Sequence, residues 1–160
     1  MALWRAASRR LKSLRQLSSS DRRVLAGATF WLPVTVCALR FLGYQRVHAV
    51  LTRLPQHVLS GGVTEGAVKD ARAAAKMVKL AIRHGPYRAT CLPESLVLWA
   101  LLRRRGVPVE LRIGTRVDSN EFKAHAWVEI QGAVINDASD VQRRFASFEQ
   151  NILAVRTKES

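Results

Sequence analysis

The apolar positions of the second half of the chain change period part-way along it. Val68, Ala71, Ala75, Val78 and Ile82 recur at steps of three and four, with Lys69, Arg72, Lys76 and Lys79 between them. This spacing predicts a helix over 63–83, ended by His84-Gly85-Pro86. A second helix is marked at both ends. Pro93 is tolerated only in a first turn, Glu94 suits the positive helix start, Arg103, Arg104 and Arg105 suit the last turn, and Gly106 is a stop signal. That helix therefore begins at Thr90 or Cys91. Beyond it the period falls to two, as Val109, Leu111 and Ile113 alternate with Glu110 and Arg112. After a turn at Asp118-Ser119-Asn120, a second strand puts His125, Trp127 and Glu129 on one face and Ala124, Ala126, Val128 and Ile130 on the other. Gln131-Gly132 is a hairpin turn into a third strand that ends in Asn136-Asp137. Helices followed by consecutive strands give an α+β fold.

The first sixty residues read differently. Leu3, Trp4, Leu11, Leu14 and Leu17 lie among Arg5, Arg9, Arg10, Lys12 and Arg15. This is a basic amphipathic pattern, equally that of an organellar transit peptide or of a solvated basic helix. Ser18 to Asp21 supply cap residues for another helix. From Val24 to Leu39 there is no charged residue, and Pro33 in the middle is expected to kink the helix. The run falls short of the roughly 20 residues of a clean span, which is reached only by reading past Arg40 to Tyr44. A buried packing helix and a monotopic anchor both fit it better, with Cys37 a small packing hydrophobe. Ser60-Gly61-Gly62 marks a loop. The expected division is a basic helical extension over 1–60 and an ordinary, mildly basic domain over 61–160.

Composition sharpens that division. Of the 160 residues, 48% are apolar and 24% charged, which excludes a disordered chain. The net charge is +14, and it is unevenly spread: residues 1–60 hold ten Lys and Arg against the single acid Asp21. Two cysteines form no disulfide framework, so the expected setting is a reducing, cytoplasmic compartment, with membrane association through the N-terminal segment an added expectation. The cations are not interleaved with aromatic residues on a strand face, so no nucleic-acid partner is expected. With distant cysteines and no paired histidine spacing, no metal or other cofactor is expected either. His57 and His84 flank loops and are expected to be solvated, and His48 lies in a helix-like stretch.

Candidate chemistry begins at Cys91. A thiol at a helix start meets unpaired N–H groups and the positive end of the macrodipole, which favour thiolate. His125 on a strand can serve as its base, and Asp137 on the following strand can hold the imidazole. The hairpin register decides whether they meet. A two-residue loop pairs Ile130 with Ala133, which sends Asp137 to the face away from His125 and turns Asn136 toward it. A three-residue loop of Ile130-Gln131-Gly132 pairs His125 directly with Asp137. The sequence permits both; a Cys91–His125–Asp137 triad calls for the longer loop. Trp127 shares the face of His125, either lining the site or filling the core.

The segments Cys91-Leu92-Pro93-Glu94-Ser95-Leu96, Leu101 to Pro108, Leu111-Arg112-Ile113-Gly114, Phe122 to Glu129 and Gly132 to Asp137 together resemble the B2 leader peptidases of lasso-peptide biosynthesis, which are transglutaminase-like, papain-type cysteine proteases. The resemblance covers about residues 65–140 and includes the order of the motifs. It implies a papain/transglutaminase-like core, with Cys91, His125 and Asp137 at the triad positions and a thioester intermediate. It implies as substrate the leader region of a ribosomal precursor peptide, removed before an asparagine-synthetase-like cyclase forms the macrolactam. The β-rich wing of a fused leader-binding domain is not visible in residues 1–60, so a separate leader-binding recognition protein is the implied partner. Membrane surface contact through residues 1–44 is a further expectation. Two alternatives come from other chemistry: transglutaminase or amidase acyl transfer by the same triad, and a non-enzymatic basic module that binds membrane or nucleic acid.

Overall fold

The computed structural model describes residues 17–53, 64–86, 89–118 and 121–147. The expected amphipathic helix over 1–17 and the boundary expected between residues 60 and 61 lie outside them, save for Leu17. The first helix, α1, runs Ser19–Thr52. Ser18 caps it, its hydroxyl oxygen accepting from the Asp21 N–H at 3.0 Å. The dihedral angles stay helical through Pro33; the break comes at Gly43, whose φ of 77° joins two helical segments. A proline removes one N–H and crowds one carbonyl, and the helix accommodates that loss, whereas a left-handed residue changes the direction of the chain.

Helix α2 (Glu65–His84) is capped by Thr64, which accepts from the Ala67 N–H. It buries Ala71, Ala74, Ala75, Val78 and Ala81, small residues that bring it close against its neighbours. Helix α3 (Cys91–Arg103) starts at Cys91 and is buried almost all round, through Leu96, Val97, Leu98, Trp99 and Leu102. It closes with two bonds to its last turn, Gly106 N–H to Arg103 O at 2.9 Å and Val107 N–H to Leu102 O at 3.1 Å. Val24, Ala28 and Leu32 of α1 join α2 and α3 in one cluster with Val109, Val128 and Ile130 of the strand segments. The N-terminal helix thus enters the same core as the residues that follow the expected boundary.

Four antiparallel strands, β1 (Glu110–Asp118), β2 (Glu121–Ile130), β3 (Ala133–Val134) and β4 (Ala146–Ser147), form one sheet in the order β3-β2-β1-β4. A four-residue helix, α4 (Val141–Arg144), precedes β4. The sheet alternates as expected: Val128 and Ile130 face the helices, while Trp127, Val134, Val141 and Phe145 form a second cluster on the other side. The fold is α+β, with the central helix α3 packed on an antiparallel sheet.

The hairpin corrects the expected register. Ile130 pairs with Ala133 and Glu129 with Val134 across a two-residue turn of Gln131 (φ 47°) and Gly132 (φ 80°). Both turn residues have positive φ, the geometry whose twist suits a tight antiparallel hairpin. The three-residue loop is not formed.

Candidate active site

Although the loop is short, Asp137 is bonded to His125: the imidazole Nε2 and the Asp137 carboxylate form a hydrogen-bonded ion pair. The ladder simply stops. Its last backbone bond runs from the Ile135 N–H to Val128 O at 2.9 Å. Next, the Val128 N–H donates not to a backbone carbonyl but to the side-chain Oδ1 of Asn136, at 2.8 Å. In a continued antiparallel pairing that position belongs to the Ile135 carbonyl. The Asn136 amide takes it over, the chain bends, and Asp137 swings to the face it would otherwise have left. Asn136 itself points to the helix side, donating to Ser95 Oγ at 3.0 Å and Glu94 Oε1 at 3.4 Å. It does not turn toward His125, as the short register alone would have it.

Ser95 completes the tie between helix and sheet. It is fully buried, and its hydroxyl donates to the Ala126 carbonyl at 2.9 Å. Cys91 lies four residues earlier, on the same face of α3 and one turn nearer its start. The start of α3 is thereby fastened to the strand beside His125. Cys91 is partly exposed, as a reactive thiol must be. Among the described residues, no hydrogen bond joins Cys91 to His125. The structure brings His125 and Asp137 into contact and sets Cys91 at the adjacent helix end.

The imidazole stacks with two rings, Phe145 at 5.0 Å between centroids and Trp127 at 6.2 Å. Trp127 is 1% exposed, so it supports the histidine from the core rather than lining open space. Its indole N–H donates to Glu129, a buried carboxylate that also accepts from Gln142 at 2.7 Å and pairs with Arg112. Gly114, directly opposite His125 in the register, makes room for this stack: a Cβ there would lie 2.8 Å from the Trp127 ring and 2.9 Å from Phe145. A glycine inside a strand is the one signal in the sequence for such a close approach.

The two carboxyl groups of the site are held apart in acidity. Burial pushes Asp137 up, but the hydrogen bond from His125, the Ala138 N–H and the charges of His125 and Lys79 outweigh it, so its pKa lies below the ordinary 3.8. Glu94 is raised above its ordinary 4.5 chiefly by burial, against the opposing effects of Lys79 and the Asn136 amide. Lys79 sits 3.9 Å from Glu94. A cleft of about 290 Å³ opens beside Asp137, with Arg72, Lys76 and Lys79 on one wall and Val134, Asn136 and Asp137 on the other.

In the sequence Asn136 stood only as the alternative orienter facing His125 in the short register, and Glu94 as a first-turn cap in preference to a catalytic acid; the tie through Ser95 and the ring stack of Gly114 and Phe145 were not among the expectations. Of the other histidines, His84 is exposed in the last turn of α2 and His48 stacks on Trp99 at 5.5 Å, both in α-helix; His57 lies outside the described residues. Cys37 is exposed, not packed.

Comparison with known proteins supplies an independent line. The profile of the transglutaminase-like superfamily matches residues 32–150. Over 60 residues the chain is 35% identical to the microcin J25-processing protein McjB of Escherichia coli; the aligned stretch takes in 38% of this chain but only 28% of that protein. No solved structure matches.

Proposed function

The chain belongs to the transglutaminase-like superfamily, and from that membership we propose that it is a cysteine endopeptidase that removes the leader from a ribosomally made lasso-peptide precursor. The observation that carries the reading is the hydrogen-bonded pair of His125 Nε2 and the Asp137 carboxylate, set beside the start of the helix that opens with Cys91. The similarity of a 60-residue stretch to a microcin-processing protein supports the peptide substrate.

In this proposal Asp137 accepts from Nε2–H and so fixes the tautomer that leaves Nδ1 as the basic nitrogen. Nδ1 takes the thiol proton as Cys91 Sγ attacks the scissile carbonyl carbon. The Cys91 backbone N–H, unpaired in its helix, donates to the developing oxyanion. The imidazolium then gives its proton to the departing amine, leaving a thioester. Water, deprotonated by His125, attacks the thioester and releases the leader with a free carboxylate, restoring the thiol. Closing Cys91 onto Nδ1 is assigned to substrate binding, since such bonds often tighten only in the substrate complex. A separate leader-binding protein presents the precursor, and an asparagine-synthetase-like cyclase takes the freed core.

The test is cleavage of a synthetic precursor peptide by the full chain, with and without a leader-binding recognition protein, read by mass spectrometry. The expected products are leader and core, together one water heavier than the precursor, with Cys91→Ala and Cys91→Ser folded by circular dichroism but inactive. A product in which the precursor has gained an amine in place of water would instead assign acyl transfer. Unchanged cleavage by Cys91→Ala would overturn the proposal.

A further inference from the structure

The outward face of α1 has a composition that water does not explain. Ala26, Phe30, Val34, Cys37 and Phe41 follow one another at steps of three and four, so they form a single stripe along the helix. All five are exposed, Phe30 by 63% and Phe41 by 82%; Trp31 and Leu42, also exposed, lie farther round the helix on one side of the stripe. The opposite face, with Val24, Ala28, Leu32 and Thr35, is buried. A helix that covers a domain normally turns charge outward. Here only 22% of the most apolar stretch is buried, and no charged residue lies between Arg23 and Arg40. The stripe is about 22 Å long at 1.5 Å per residue.

Cations frame it. Arg23 stands at its start, and Arg22 and Arg40 lie beside its two ends, all three exposed. Arg5, Arg9, Arg10, Lys12 and Arg15 precede it in sequence, Arg46 and Arg53 follow, and no acid occurs from Arg22 to Thr64. An apolar stripe alone could receive many kinds of surface. One with basic groups at both ends and no acid suits a plane that is apolar in depth and anionic at its rim.

We propose that the Arg23–Phe41 face of α1 docks this protein on an anionic phospholipid bilayer, the helix lying in the plane of the interface. It does not cross the bilayer. Its other face is part of the core, and threading the helix through lipid would strip Val24, Ala28 and Leu32 from α2 and α3. The two phenylalanines enter the acyl boundary, and the arginines meet the phosphates. The proposal stands apart from the protease reading and is tested apart from it.

The experiment is sedimentation of the full chain with phosphatidylcholine vesicles, alone and mixed with phosphatidylglycerol. The protein is expected to pellet with the mixed vesicles, to stay in the supernatant with phosphatidylcholine alone, and to be released in part by salt. Phe30→Asp/Phe41→Asp should lower partitioning at least about tenfold, because charged groups replace the buried rings. Arg22→Glu/Arg23→Glu should lower it about tenfold or more through the lost attraction. Circular dichroism and unfolding curves are expected to match the parent, since these side chains are exposed. Failure of the parent to pellet with anionic vesicles overturns the proposal. So does full binding by the folded phenylalanine variant, which would assign the attraction to residues 1–16. A dimer seen by light scattering, made monomeric by Phe30→Asp/Phe41→Asp and indifferent to vesicles, would overturn it in favour of a second copy of the chain.

Discussion

At the scale of single residues, the site separates two carboxyl groups by their surroundings. Asp137 meets His125, the Ala138 N–H and, at 3.8 Å, Arg144, so it stays ionised and can hold an imidazolium. Asp137→Asn keeps the shape and loses the charge, and it is expected to slow peptide cleavage by about 10²–10⁴ in kcat while leaving the circular dichroism spectrum unchanged. A rate within threefold of the parent would remove Asp137 from the proposed triad. Glu94 is the reverse case. Its raised pKa means that the folded chain holds that proton more tightly than the unfolded chain does. As pH falls from neutral toward 4.5, Glu94 therefore adds stability by taking up its proton. Below 3.8 the lowered Asp137 works the other way: the stability it contributes is lost as pH falls through its folded value. Glu94→Gln is expected to be more stable than the parent at neutral pH and to lack the first of these two changes, as read from urea unfolding across the range. A variant with the parent's full pH profile would show that another group is responsible.

At the scale of elements, the outcome turns on how a strand ends. The ends of α3 are written in local chemistry, Pro93 and Glu94 at its start and Gly106 past its end, so Cys91 could be placed at a helix start without a structure. The alternation around His125 was equally readable. The hairpin register was not, because strand alternation carries no sign of where a ladder ends. The ladder instead gives way after Ile135, where the Asn136 amide substitutes for a carbonyl and ties the bend to Ser95 and Glu94 of α3. Such a tie joins residues 41 positions apart in the chain, and no periodicity reports it. The same tie sets an expectation for the turn. Gly132 has φ 80°, which a β-branched residue adopts only under strain, so Gly132→Val should cost about 1–3 kcal/mol. Because the Asn136 contacts hold the bend independently of the turn, the folded variant is expected to retain kcat within about tenfold, a margin near 1.4 kcal/mol. Lost stability with retained rate, from melting curves and cleavage assays on one preparation, separates this arrangement from one in which the turn alone positions Asp137.

At the scale of the whole molecule, α1 carries opposite surfaces with opposite consequences. Its charge-free run identified it in the sequence as either buried or membrane-seeking. An all-round apolar helix has no moment to show which side turns inward, so the faces could be assigned only by packing. The structure gives Val24, Ala28, Leu32 and Thr35 to the core and Phe30 and Phe41 to the outside. Leu32 is fully buried in the cluster that also holds Val78 of α2 and Leu98 of α3. That cluster reaches Val128 on β2, three residues from His125. Leu32→Ala should therefore destabilise the entire fold, by about 2–5 kcal/mol for a buried leucine that leaves a cavity. For a chain of this size the melting temperature should fall by roughly 2–4 °C per kcal/mol. Phe41→Ala deletes a larger side chain from the same helix, but from its exposed face, and should move the melting temperature hardly at all. Were α1 an appendage on a self-sufficient domain, the two substitutions would be equally silent in a thermal melt of the residues that carry the site. A strong loss for Leu32→Ala beside none for Phe41→Ala, followed by tryptophan fluorescence and by cleavage activity through the transition, would establish that the helix and the site unfold as one cooperative unit.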